Sequence, residues 1–396
     1  MKRFNELVVI VVFLMIIFAI PILSCFGKDK VWDFYEFRSM TQIEQVRNEL
    51  STQSLQSGAL FQTLESYLSD QIFQRDAILA SKTWLDLNIF QRPVVNDIYT
   101  GQKALVSANP DTGGNRNDLL ATIQYFGYLN DLVTSYGGTL LIVNVPHQSS
   151  AFREEYPEYL EIDYTSMDQD NQWMAKTLET MGVPYLDMSS SLLPDYEKYY
   201  SHNDHHYNLF GAYETYLAVM ERLTPVLGDL PIFTEDQFTW KELSEYDYYG
   251  SRNRKLYMLS PFPEHGVYYE EKNHLPFRRY DDNKETEATV FHIDEDAENP
   301  RINYSLYMNG DNPKTRIETD REELPDLLIF GNSFTNAFET FAYHSFNTMT
   351  SLDFRYYEGE TLTHYIMENR PDAVVCIKDN TSFYNLSGMG ARYGQR

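Results

Sequence analysis

From residue 117 onward the chain alternates two apolar patterns. Leu119, Leu120, Ile123, Phe126, Leu129, Leu132 and Val133 recur at helical spacing, with Asn117 or Asp118 as cap and Gly137-Gly138 as stop. Thr139 to Val145 (T-L-L-I-V-N-V) is then a continuous apolar run of strand length, as expected for a strand covered on both faces. The pattern repeats as a helix from Gln169 to Met181, a stop at Gly182 and a strand from Val183 to Met188. Leu209 to Leu223 reads as a helix, Leu327 to Gly331 as a buried strand, and Asn336 to Phe346 as an amphipathic helix directly after it. Thr348 to Phe354, a helix from Leu362 to Glu368 and an inner strand from Ala373 to Lys378 complete the series. Strands alternating with helices predict an α/β fold with a central parallel sheet and right-handed crossovers.

Two segments break this rhythm. Pro225 to Asp320 is rich in Tyr, Asp and Glu, with short alternating pieces at Thr289 to Ile293 and Ile302 to Met308. It reads as a β-rich insertion, about 225–320, that helps wall a cleft. Upstream, 31–115 reads as a helical region and linker. Ile43, Val46 and Leu50, then Leu60, Leu64, Tyr67, Leu68 and Ile72, fall at helical spacing, and Asp70, Arg75 and Asp76 suit a structural charge cluster better than catalysis. The α/β domain then spans 116–396.

Residues 1–30 read as a targeting element. Lys2 and Arg3 precede a nearly unbroken apolar run from Leu7 to Phe26, closed by Lys28, Asp29 and Lys30. Roughly twenty residues at ~1.5 Å each match the ~30 Å hydrocarbon core. An uncleaved N-terminal transmembrane helix is expected, with a lipoprotein signal (Ile22-Leu23-Ser24-Cys25) and a cleaved signal as alternatives. The basic end predicts a single-pass cell-membrane protein, N-in, with the bulk of the chain extracytoplasmic.

Composition narrows the partners. A formal net charge of −26 and a pI of about 4.6 argue against nucleic acid, which needs clustered Lys and Arg. The 31 Tyr and 24 Phe suit either a carbohydrate-facing surface or an aromatic core. Arg252, Arg254, Lys255, Arg278 and Arg279 are local basic spots, read as solvated charge or as contacts to an anionic polymer. Only Cys25 and Cys376 occur, which excludes a disulfide framework or a cysteine-rich zinc site, and Cys376 reads as inert core. No nucleotide or acyl-CoA motif is visible, so no cofactor is expected.

Two stretches carry candidate chemistry. In L-L-I-F-G-N-S-F-T (Leu327 to Thr335) a strand turns sharply into a helix. This would hold the Ser333 hydroxyl at the carboxyl edge of the sheet, with backbone N–H groups near a helix N-terminus. Ser333 is a candidate nucleophile; otherwise it caps the helix. In Ser201-His202-Asn203-Asp204-His205-His206-Tyr207, Asp204 and His206 are two apart, so a carboxylate can orient the imidazole that deprotonates Ser333. The alternatives are a polar surface loop, or a metal-dependent hydrolase site built from His202, Asp204, His205 and His206. His147, just past a strand end, reads as a loop histidine or a pocket residue.

The D-H-H-Y…G-A block (Asp204 to Ala212), G-N-S-F-x-N-A-F from Gly331 and Asp353-Phe354-Arg355-Tyr356-Tyr357 together resemble the bacterial DHHW proteins. These are related to the SGNH-hydrolase-like alginate O-acetyltransferases of the AlgJ and AlgX type. The resemblance runs from about Leu60 to Phe383. It implies an SGNH-hydrolase-like three-layer α/β/α fold and a triad of Ser333, His206 and Asp204. It also implies oxyanion or substrate contacts from Arg355, Asn336, Asn332, His205 and Tyr207, and from Asn309 and Gly310 ahead of the nucleophile strand. Tyr207 departs from the family's Trp, and Asn332 from the Asp of a G-D-S motif. The implied activity is an acyltransferase or carbohydrate esterase, with O-acetylation of a cell-surface polysaccharide favoured. A membrane-bound O-acyltransferase of the MBOAT type is the implied acyl-donor partner. A non-catalytic polysaccharide-binding scaffold stays open.

Overall fold

The computed structural model describes residues 10–11, 13–293 and 302–391. It divides into two units, Met1–Asn96 with Asn253–Leu259, and Asp97–Arg252 with Ser260–Arg396.

In the first unit, the expected apolar spacings fall on helices Ile43–Asn48 and Ala59–Asp70, with Leu50 and Ile72 just beyond their ends, and a further helix spans Arg75–Asn88. Asp70, Arg75 and Asp76 form ion pairs there. Arg38 binds Asp70 at 2.6 Å, Arg75 binds Asp33 at 3.2 Å, and Lys30 bridges Asp33 (3.2 Å) and Asp76 (2.6 Å).

The expected N-terminal transmembrane helix is corrected. Among the described residues no helix is long and apolar enough to cross a membrane. The apolar run is divided into a π-helical turn, Met15–Ala19, and a short α-helix, Ile20–Phe26, that carries Pro21 in its first turn. Lys2, Arg3 and the start of the run at Leu7 lie outside the described residues.

The second unit is built on an eight-stranded sheet. Its longer helices are α1 (Arg116–Ser135), α2 (Thr165–Thr180), α3 (Leu209–Leu227), α4 (Phe334–Ala342) and α5 (Leu362–Asn369). Its strands are β1 (Thr139–Val145), β2 (Tyr185–Asp187), β3 (Arg278–Asp281), β4 (Lys284–Thr286), β5 (Lys314–Glu318), β6 (Leu327–Gly331), β7 (Thr348–Leu352) and β8 (Ala373–Asp379). They lie in the order β4-β3-β5-β7-β6-β8-β1-β2. The five strands from β7 to β2 are parallel, and β4, β3 and β5 add antiparallel pairings at the β7 edge. The insertion therefore extends the central sheet. Its strands are not the two pieces expected, since Phe291 meets Tyr307, and Tyr248 meets Ile302, only through isolated bridges.

Burial on both faces explains the unbroken apolar runs. Along β1, Leu141, Val143 and Val145 join a core with Tyr216 of α3 and Phe338 and Phe341 of α4. Leu140 and Ile142 point the other way, into a core with Ile123, Phe126 and Val133 of α1 and Ile366 of α5. Cys376 is buried in this second core, and burial pushes its thiol up to about 12. The result is a three-layer α/β/α body whose β6, β8 and β1 end side by side at one carboxyl edge.

Candidate active site

Gly331 ends β6 where a side chain has no room, because an added Cβ would lie 2.0 Å from the Ile377 carbonyl oxygen of β8. The chain turns there, and Ser333 precedes α4 in right-handed helical geometry without using its side chain as a cap. Capping falls instead to Asn332, whose Oδ1 accepts the Phe334 N–H at 3.2 Å. The Thr335 and Asn336 N–H groups are taken by the carbonyls of Asn332 and Ser333. Of this first turn, the Ser333 N–H has no acceptor among the described residues. Such a donor, at a helix N-terminus and beside a hydroxyl, suits a developing oxyanion.

Residues 201–206 form a loop pinned at its base by the antiparallel bridge between Tyr200 and Tyr207. Ser201 Oγ accepts the Asp204 N–H at 2.8 Å, so the loop is tied across three residues. Asp204 is 2% exposed and fully bonded. Its Oδ1 accepts His206 Nδ1–H at 2.6 Å and the His205 and His206 backbone N–H groups at 2.7 and 3.2 Å, and its Oδ2 accepts the Ser251 N–H at 2.6 Å. Burial alone would raise its pKa, but the His206 imidazole and the Ser251 N–H outweigh it and hold the carboxyl well below the usual range. Gly250 makes this approach possible, since an added Cβ would lie 2.3 Å from the Asn203 carbonyl oxygen.

The other imidazole nitrogen, His206 Nε2, stands 2.7 Å from Ser333 Oγ. With Nδ1 donating to a carboxylate, Nε2 is the acceptor and Ser333 the donor. Asp204, His206 and Ser333 thus form one buried chain of hydrogen bonds. The arrangement can remove a proton from the serine hydroxyl and stabilise the imidazolium that results.

Aromatic rings enclose His206. Tyr304 stacks face to face on it at 3.7 Å and 7°, and Phe334 lies at 5.1 Å. His205 packs against it at 3.7 Å and directs Nδ1 to Ser251 Oγ at 2.8 Å. His147 stacks on His205 at 5.8 Å, and its Nδ1 accepts the Ser149 N–H at 3.2 Å. Burial pushes His147 down to about 4, and burial with the neighbouring His206 holds His205 well below the ordinary value. Both flanking rings are therefore neutral.

A family model described as SGNH hydrolase-like domain, acetyltransferase AlgX, matches residues 99–297. The chain belongs to this family. It is accordingly an enzyme of the SGNH-like O-acetyltransferase class. Asp204 and His206 fall inside the matched segment, and Ser333 lies beyond it. Among solved structures, Bacillus cereus PatB1 carrying a sulfonyl adduct is similar over 74% of this chain and 98% of its own, at 17% identity and a TM-score of 0.63. A DHHW family protein from Eubacterium siraeum is similar over 75% of this chain and 95% of its own, at 21% identity and a TM-score of 0.58. At these identities the likeness bears on the fold, which is SGNH-like. No curated protein matches the chain.

The remaining candidates of this AlgX-family chain sit in different places. Asn332 donates Nδ2 to Asp379 (2.7 Å) and Ser382 (3.1 Å), so its amide anchors the turn to the end of β8. Asn336 and Arg355 meet at Asp311, at 3.0 Å each, and Arg355 is also held by Asp353 at 2.5 Å. Tyr207 is buried and donates its hydroxyl to the Phe334 carbonyl, bracing α4. Asn309 and Gly310 form a turn with left-handed φ values of 59° and 86°, and Asn309 is exposed. No hydrogen bond among the described residues ties Asn309 or Gly310 to the triad. His202 directs Nδ1 to the Lys103 carbonyl at 2.7 Å and stands apart from the other histidines. Asp204, His205 and His206 offer ligand atoms within 4.8 Å of one another. In this geometry the Asp204 oxygens are already committed to four donors.

Arg252 and Arg279 are buried, not surface spots. Arg252 bonds Gln148 (3.0 Å) and Ser149 (2.8 Å), and Arg279 bonds the Thr289 (2.7 Å) and Met308 (2.6 Å) carbonyls. Tyr304 and Ser251 are the site residues that the sequence reading missed. A ring packed over an imidazole from an irregular insertion leaves no periodic signal.

Proposed function

We propose that this chain is a serine-dependent O-acetyltransferase acting outside the cytoplasm, with a cell-surface polysaccharide as acceptor. The observation that carries the reading is the continuous hydrogen-bond chain from Asp204 through His206 to Ser333. In the first half-reaction Ser333 Oγ bonds to the acyl carbonyl carbon while its proton passes to His206 Nε2. The carbonyl oxygen gains negative charge near the Ser333 N–H, and the donor's oxygen departs with the proton from Nε2. In the second half-reaction an acceptor hydroxyl gives its proton to Nε2 and attacks the acyl-serine. Collapse returns the proton to Oγ and leaves a new ester. Asp204 fixes the tautomer and, with the Tyr304 ring face, stabilises the imidazolium. Neutral His147 and His205 add no repulsion to that cation.

Family kinship and the basic, apolar leader support the extracytoplasmic setting. Kinship also supports the polysaccharide acceptor and delivery of acyl groups by a membrane-bound O-acyltransferase partner. The test is intact-mass measurement of the protein after brief exposure to p-nitrophenyl acetate. One acetyl is expected on wild type, none on Ser333→Ala or His206→Ala, and a smaller loss for His205→Ala. Equal loss from both histidine variants, or labelling of Ser333→Ala at the wild-type rate, would overturn the reading.

A further inference from the structure

A cavity of about 600 Å³ lies against the loop that carries Asp204, within the size range of small-molecule sites. Ser201, His202, Glu264, Phe210, Trp240 and Tyr307 help to line it, and neither His206 nor Ser333 does. Its polar floor is the Glu264 carboxylate. Oε2 accepts the Ser201 hydroxyl at 2.8 Å and the Asn203 N–H at 3.0 Å, whereas Oε1 takes one long bond, at 3.3 Å, from the His202 N–H. A carboxylate has about four lone-pair sites, so Oε1 keeps acceptor capacity in a residue that lines the cavity.

The cations on the wall are directed elsewhere. Lys241 pairs with Glu270 at 3.0 Å, and the Lys198 ammonium lies over the Tyr199 ring at 4.8 Å. Of the three wall carboxylates, Glu197 is paired with Lys103 at 2.6 Å and Glu242 is exposed to solvent. Glu264 has no such partner among the described residues, and burial pushes it up to about 7, a cost to its charged form that a bound cation would offset. Phe210 and Trp240, 4.8 Å apart, supply an aromatic wall beside it. A carboxylate with spare acceptor capacity next to aromatic faces suits an organic cation, because both ring quadrupoles and the anion attract it.

We propose that this cavity is a second ligand site for a protonated amino sugar, with the ammonium on Glu264 and the ring against Trp240 and Phe210. The site uses no group of the Ser333 chemistry, so it stands or falls independently of the acyl-transfer reading.

The experiment is calorimetric titration of the full chain with glucosamine, with N-acetylglucosamine and glucose as uncharged counterparts. Saturable binding of glucosamine is expected, weaker by about tenfold or more for either uncharged sugar and for Glu264→Gln. Trp240→Leu, which leaves the carboxylate in place, should also weaken it, and Ser333→Ala should bind as wild type does. Three sugars binding alike would mark a neutral-saccharide site and overturn the assignment, as would no saturable binding to wild type. Unchanged affinity in Trp240→Leu, or lost affinity in Ser333→Ala, would overturn it too.

Discussion

Ser333 Oγ and His206 Nε2 stand 2.7 Å apart although 127 positions separate them in the chain. The contact exists because two elements deliver their side chains to the same sheet edge. The Gly331 turn brings Ser333 off β6, and the loop pinned by Tyr200 and Tyr207 brings His206 in ahead of α3.

The carboxylate behind His206 is the first quantity to test. Asn at position 204 keeps the size of the side chain but offers an amide where the imidazole needs an anionic acceptor. It also removes the charge that stabilises the imidazolium. Asp204→Asn should slow acyl-enzyme formation by about 10³–10⁴-fold, by the logic established for serine hydrolases, with an unchanged far-ultraviolet spectrum. A loss below about tenfold would mean that Asp204 only shapes the loop.

Tyr207 makes a different kind of contribution. Its ring lies edge-on to Phe334 at 5.1 Å, and its hydroxyl serves the Phe334 carbonyl in a buried place. Tyr207→Phe leaves that carbonyl without this donor, at a cost of about 1–3 kcal/mol in denaturant titration. The acylation rate per folded molecule should fall by less than for Asp204→Asn. A large rate loss at full stability would instead make Tyr207 part of the reacting centre.

Much of this was legible in the sequence. The parallel strands announced themselves because burial on both faces leaves unbroken apolar runs such as T-L-L-I-V-N-V. The Gly331-Asn332-Ser333 turn and the Asp204/His206 spacing were readable because tight turns need specific residue types. The individual strands of the insertion were not, since segments such as Lys314–Glu318 carry charge at alternate positions and form an outer part of the sheet. Tyr207 and Asn332 were expected at the substrate rim through the family resemblance. Adjacent residues on a turn face opposite ways, and both point inward to anchor α4 and β8. The leader misled through composition alone, since its apolar run is long but no helix among the described residues is long and apolar enough to cross a membrane.

Buried histidine outside the site makes stability depend on pH. His344 stacks on Phe233 at 3.6 Å and 4°, and burial pushes it from 6.5 down to about 3. The unfolded chain therefore binds a proton that the folded chain refuses between those values, so stability rises with pH across the window. Unfolding free energy should fall as pH drops below about 6.5 and level off for this group near 3. His344→Gln should show a shallower slope over the same range. Parallel slopes for the two proteins would remove His344 as the cause.

Asn332 stands where a G-D-S motif carries Asp, and its neighbour supplies the reason. Its Nδ2 donates at 2.7 Å to Asp379, which also accepts the Thr381 and Ser382 hydroxyls at 2.5 Å each and stays ionised despite burial. Asn332→Asp would set two buried carboxyl groups against each other in place of that bond. A loss of about 2–4 kcal/mol is expected near neutral pH, shrinking as acid protonates the pair. Adding Asp379→Asn should restore most of it, because one amide and one carboxylate again face each other with the roles exchanged. A double variant no more stable than Asn332→Asp alone would show that the pair is not coupled, and the choice of Asn at this turn would then need another cause.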